Sequence, residues 1–290
     1  VRFPIHKWTR QLPFIQGYDI GRMSVAKGDN KEVNDRSYRY IADEMCKGYF
    51  FRKHGFASCT TWEGIGGRHD DTMSGYAQNY FTQAALMQDD TNRYTKSVEG
   101  LCRLAYDGDV VTHLAHEMNP WVMHECFNYE NYEKGLDHTF GCFEDRARGV
   151  HNNPGDEGNL VQSAETLKTF ALICGIYCDK YGCLTVAPRL PWEWTRMVVE
   201  DYPVGLTDGR VARLQIEYSI ERWRSCATAR ISSDIPFPRI RLRFGPFPRL
   251  MQCFDPAENG FDVQKSENTT WLWKTSFSGD RVEYSFDYAM

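Results

Sequence analysis

The stretch Cys178-Asp179-Lys180-Tyr181-Gly182-Cys183-Leu184-Thr185-Val186 is where the apolar period of the chain changes. Past Gly182 apolar residues recur at every second position. Leu214, Ile216, Tyr218 and Ile220 alternate with polar neighbours, Ile240, Leu242 and Phe244 with Arg239, Arg241 and Arg243, and Val282, Tyr284, Phe286 and Tyr288 with Arg281, Glu283, Ser285 and Asp287. A period of two is that of a half-buried strand. Several such strands separated by Pro and Gly turns predict an antiparallel β-sandwich.

Before this stretch, from about residue 34, the period is helical. Tyr38, Ile41, Ala42, Met45 and Tyr49 form a first stripe, and Met73, Tyr76, Ala77, Tyr80, Phe81, Ala84 and Met87 a second. A third helix is predicted from about Asp90 to Tyr106. The fourth runs from about Asp156 to Cys178, carries Leu160, Val161, Ala164, Leu167, Ala171 and Cys174, and turns apolar nearly all round toward its end. The second and fourth therefore read as the more buried. The expected domains are 1–181, helical, and 182–290, a β-sandwich.

Two long stretches, about 55–71 and 107–155, separate the helices and are rich in Gly, His, Asn, Asp, Glu and Trp. Loops of that length are uncommon in a compact helical domain and usually functional.

The net charge of −5 argues against a general nucleic-acid or anionic-membrane binder, which needs excess Lys and Arg. The arginines from Arg210 to Arg249 alternate with apolar residues and read as the solvent face of strands. Cys46, Cys102, Cys174 and Cys178 fall in helical patterns, where a buried free thiol behaves as a small hydrophobe. No CxxC pair occurs. His113 and His116 lack carboxylates at ligand spacing, so no metal and no cofactor are expected. The opening residues lack a signal-peptide pattern and no segment has the apolar length of a membrane span, which reads as a soluble chain.

Certain runs carry a resemblance: Gly67-Arg68-His69-Asp70-Asp71, leading into Gly75-Tyr76-Ala77-Gln78 and Thr82-Gln83-Ala84-Ala85-Leu86; Gly158-Asn159-Leu160-Val161-Gln162; and Leu184-Thr185-Val186-Ala187-Pro188-Arg189-Leu190-Pro191 followed by Trp192 and Trp194. Over roughly residues 34–250 the chain resembles the six-hairpin, (α/α)6-toroid glycoside hydrolases, rhamnosidase-like and related, that end in a β-sandwich. The resemblance implies a partial (α/α)6 toroid followed by an antiparallel β-sandwich. It also implies an exo-acting glycosidase with a carbohydrate substrate. Four helices cannot close such a ring, so a missing N-terminal half on the same precursor or another chain is expected as partner.

Glycoside hydrolysis needs a protonated carboxylic acid at the leaving oxygen and a second carboxylate as base or nucleophile. Glu63 is the first candidate, because Thr60-Thr61-Trp62-Glu63 resembles the run that carries a catalytic Glu in rhamnosidase-like enzymes. A neighbouring Trp can raise a carboxyl pKa by excluding water; a structural Glu63–Arg68 pair is the alternative. Glu125, in Trp121-Val122-Met123-His124-Glu125, is the candidate partner, with Asp70 and Asp71 beside it as catalytic or helix-capping carboxylates. Trp62, Arg68, His69, Trp121, His124 and Asn159 are the expected sugar-binding residues, and Trp192 and Trp194 are further stacking candidates. Two alternatives stay open: a polysaccharide lyase using His69, Tyr76 and Asn79, and a non-catalytic carbohydrate-binding subunit.

Overall fold

The computed structural model describes residues 58–59, 72–106, 126–128, 160–221, 226–247, 255–266 and 269–287. The chain divides into two compact units, 1–169 and 170–290.

In the first unit, β1 (Ser58–Cys59), β2 (Thr72–Ser74) and β3 (Cys126–Asn128) form a small antiparallel sheet in that order. Helix α1 (Gly75–Met87) follows β2 directly, and α2 (Thr91–Tyr106) folds back against it. The turn between them places Asp89 at φ 53°, and Asp90 starts α2: its carboxylate accepts the Arg93 amide at 3.3 Å and pairs with the Arg93 guanidinium at 2.6 Å. That carboxylate satisfies a backbone donor the first turn leaves open. Tyr94, Val98 and Leu101 of α2 are fully buried, as their helical spacing predicts.

Helix α3 (Leu160–Cys174) ends at Gly175, whose φ of 63° is left-handed. A Cβ there would sit 2.0 Å from the Ala187 carbonyl oxygen, so the position requires glycine. Arg189 covers the same helix end: its amide donates to Ile173 O at 2.8 Å and its guanidinium to Leu172 O at 3.2 Å.

The second unit is strand-dominated. Its strands are β4 (Ile176–Cys178), β5 (Cys183–Val186), β6 (Arg196–Gly205), β7 (Val211–Glu221), β8 (Cys226–Phe247), β9 (Asp262–Ser266) and β10 (Thr269–Asp287). In β4–β5 the Asp179 carboxylate accepts the amides of Tyr181 and Cys183 at 2.8 and 2.9 Å, tightening the turn. Strand β8, 22 residues long, is the spine. Its first half pairs with β7 and its second half with β5, while β10 runs antiparallel along both halves.

The sheet curls so that its two halves face one another. β7 pairs only with residues 226–233 of β8, yet Tyr218 stacks on Phe244 with centroids 5.7 Å apart. The Gly245 amide donates to the Tyr218 hydroxyl at 3.1 Å. Phe286 meets Phe244 edge-on at 4.9 Å and Phe261 at 4.8 Å. Leu214, Ile216, Ile220, Ile231, Leu242 and Leu272 complete this concave core. Gly245, at φ 131°, leaves no room for a Cβ, which would lie 2.8 Å from the Trp271 ring.

This architecture overturns the partial (α/α)6 toroid followed by an antiparallel β-sandwich, and with it the six-hairpin glycosidase resemblance. The described residues are mostly strand, contain three helices, and have one half-barrel sheet of mixed strands. Two physical reasons stand out. β5 and β8 are parallel, and β8 runs on through Pro236 and Pro238, which read in the sequence as turn residues. Both prolines are exposed, flanking the fully buried Phe237. Cys178 is in β4 and not in a helix. The first predicted helix, from about residue 34, lies outside the described residues.

The arginine reading also changes along β8. Arg239 is exposed and Arg241 half-buried, but Arg243 is only 2% exposed. Its guanidinium lies 3.9 Å from the Trp271 ring centroid and 5.5 Å from that of Trp273, which also carries Arg241 at 4.7 Å. Stacking of this kind contributes about 0.5–2 kcal/mol per contact, most where water is excluded. No helix among the described residues is long and apolar enough to cross a membrane.

Candidate functional site

The small sheet of the first unit joins chain from the two long stretches: β1 lies within about 55–71, β3 within about 107–155, and β2 directly follows the first. Cys59 pairs with Thr72, so β1 and β2 bring together the chain on either side of residues 60–71. Thr72 in turn pairs with Asn128, and Ser74 with Cys126. Antiparallel register therefore puts the start of β2, next in sequence to Asp71, opposite the end of β3. The start of β3, next in sequence to Glu125, lies opposite the end of β2. Successive strand residues advance about 3.4 Å, so these two chain entries are at opposite ends of a short ribbon.

Helix α1 leaves this ribbon and buries a polar stripe. Gln78, Asn79, Thr82 and Gln83 are all 0% exposed. Opposite them α3 buries Glu165, Thr166 and Thr169. The Asn79 amide donates to Thr166 Oγ1 at 3.1 Å, while Asn79 Oδ1 accepts from the Thr169 hydroxyl at 2.8 Å. The Gln83 amide reaches Glu165 Oε2, Glu165 O and Thr169 Oγ1, each at 3.0 Å. Lys168 holds the other carboxylate oxygen of Glu165 at 2.5 Å. Gln78 donates to Ser97 O of α2. Buried polar groups are generally paired in this way, and such a network favours one relative placement of the helices; Gln83 Oε1 is its one buried atom without a hydrogen-bond partner among the described residues.

The arrangement is chemically quiet. Glu165 is engaged through both oxygens, and Asn79 through both ends of its amide. The described cysteines, Cys102, Cys174, Cys178, Cys183 and Cys226, are free thiols. Burial, reinforced by Glu99, pushes the Cys102 thiol up to about 11, and burial raises the others as well. Such thiols are poor nucleophiles at neutral pH.

The candidates Glu63, Glu125, Asp70 and Asp71, and the sugar-binding candidates Trp62, Arg68, His69, Trp121, His124 and Asn159, all lie outside the described residues. Trp192 and Trp194 are half-buried. Sequence reasoning missed Gln83, Glu165, Thr166 and Thr169 as a unit. It assigned α3 an apolar buried stripe, but Ala164 and Ala171 are exposed and Leu167 is 72% exposed. The signal was present in Gln78, Asn79, Thr82 and Gln83, whose i, i+1, i+4, i+5 spacing marks one helix face. That face needs a polar partner.

No protein-family model matches the chain, and no curated protein is significantly similar to it.

Proposed function

We propose that the chain hydrolyses glycosidic bonds with paired carboxylates, Glu63 acting as proton donor and a second carboxylate, Glu125, Asp70 or Asp71, as base or nucleophile. The pairing of β1 with β2 supports this reading, because it joins the chain on both sides of the segment that holds Glu63, Asp70 and Asp71; Glu125 precedes β3, which enters the ribbon from its other end. The chemistry rests on the Thr60-Thr61-Trp62-Glu63 run: a Trp beside a carboxyl excludes water and favours the protonated acid that the leaving oxygen needs. An oligo- or polysaccharide is the substrate class.

The lyase alternative loses one of its named players. Asn79 is wholly buried, and its amide donates to Thr166 and accepts from Thr169, which counts against its meeting a uronate carboxylate.

Glu63→Gln, assayed by reducing-sugar release over a panel of oligosaccharides, is expected to lower turnover by at least a hundredfold while glycan retention persists. Turnover equal to the parent chain would remove Glu63 from the mechanism. Absorbance of an unsaturated uronide in the products would replace hydrolysis by elimination. Parallel variants Glu125→Gln, Asp70→Asn and Asp71→Asn identify the partner as the one whose loss matches that of Glu63.

A further inference from the structure

The outward face of the curled sheet holds a groove that the hydrolytic reading does not use. Its volume is about 430 Å3, inside the range of roughly 300–1,000 Å3 typical of small-ligand sites. It is made by an irregularity in β6. Val199 pairs with Ile216 and Tyr202 with Leu214, so Glu200 and Asp201 bulge out of register, with Asp201 at φ 53°. Bulges and left-handed non-glycine residues re-aim side chains and concentrate at functional positions. The bulge forms one wall, Gln215 and Ser232 pair across the floor, and Arg281 closes the far side.

Cross-strand ion pairs hold the charged lining in place. Arg230 donates to Glu283 at 2.7 Å and to Glu217 at 3.5 Å, and Arg196 approaches Glu217 at 3.9 Å. The lining carries Glu200 and Glu217 against Arg230 and Arg281, two charges of each sign and so no net charge. That balance disfavours a phosphate or uronate, which needs net positive charge, and equally disfavours a cation. Val198 and Val199 put apolar surface beside these polar groups, which the C–H face of a sugar ring can cover. Carboxylate, guanidinium, carboxamide and hydroxyl groups side by side offer donors and acceptors together, which matches a ligand whose every hydroxyl both donates and accepts.

We infer that this groove on β6, β7, β8 and β10 is a binding site for a neutral, hydroxyl-rich ligand, an uncharged sugar unit of a glycan. The inference rests on the chemistry of the groove and stands whether or not Glu63 is catalytic.

Affinity electrophoresis of the full chain in gels cast with arabinoxylan, galactomannan, mixed-linkage glucan or polygalacturonate tests it. At least one neutral polysaccharide is expected to retard the chain. Ser232→Trp, which fills the groove floor, should weaken that retardation at least tenfold. Ser285→Trp, on the same face of β10 outside the groove, should not. Thermal melts of both variants establish that they fold, and Gln215→Ala, which trims the floor without adding bulk, should weaken retardation in the same direction. Retardation by polygalacturonate alone, no retardation by any of the neutral polymers, or equal retardation of parent and Ser232→Trp would each overturn the site.

Discussion

The face that helix α1 turns to α3 and the inward face of strand β7 are both buried, and they bury opposite chemistries; α1 also buries Phe81, Ala84, Ala85 and Leu86. β7 turns Ala212, Leu214, Ile216, Tyr218 and Ile220 inward, while α1 turns in Gln78, Asn79, Thr82 and Gln83. An apolar face is held by area removed from water, which is additive and tolerant of small shifts. A polar face is held by directed bonds, each of which becomes a penalty when its partner leaves. The second unit is therefore stabilised by bulk, whereas the helix contact of the first is specified by pairing.

The sharpest way to break the contrast is at the aromatic cluster. Phe244 touches Tyr218, Phe261, Tyr284 and Phe286, so Phe244→Ala should destabilise the second unit by about 3–5 kcal/mol. Urea unfolding followed by tryptophan fluorescence, to which Trp271 and Trp273 contribute among the chain's eight tryptophans, reads that loss. At the polar face the expected effect is smaller but diagnostic. Asn79→Leu should cost about 1–3 kcal/mol by removing one partner from each of the Thr166 and Thr169 hydroxyls, and adding Thr166→Val and Thr169→Val should recover part of it. Further loss in the triple variant would mean that the α1–α3 contact is held by area after all.

The smallest effect belongs to the outer ladder. Hydrogen bonding to Arg230 holds the Glu283 carboxyl below its ordinary range, so its contribution is present above the unfolded carboxylate pKa and fades as pH falls through the lowered value. Both groups are exposed, and water and salt screen them. Glu283→Gln should leave the melting temperature unchanged in physiological salt. A small drop should emerge at low salt near neutral pH and vanish on acidification.

Much of the strand pattern was legible because a period of two survives any curvature. The alternations at Leu214–Ile220, Ile240–Phe244 and Val282–Phe286 all fall in strands. Helix α2 was legible for a similar reason, its Tyr94, Val98 and Leu101 stripe being apolar on one side only. What the pattern could not convey was length and partner. Nothing local in Pro236-Phe237-Pro238 distinguishes a turn from a continuing strand, because that depends on β10 lying alongside. Nor does periodicity report whether β5 approaches β8 parallel or antiparallel. α3 misled because Leu167 and Ala171 are apolar yet face outward, and its inward face is chosen by the amides of α1. The candidate site rests on composition and the Trp62-Glu63 pair, which lie outside the described residues, and the fold adds only the β-ribbon of residues 58–59, 72–74 and 126–128.

The course of β8 also bears on how the protein is made. Its partners β5 and β7 precede it in the chain, but β10 ends only at Asp287. During synthesis the β7–β8 hairpin emerges with Leu214, Ile216, Ile220 and Ile231 facing inward before the strand that completes the sheet exists. Long-range pairing of this kind forms late and leaves sticky surface exposed in the interval. In that interval aggregation competes with completion of the sheet.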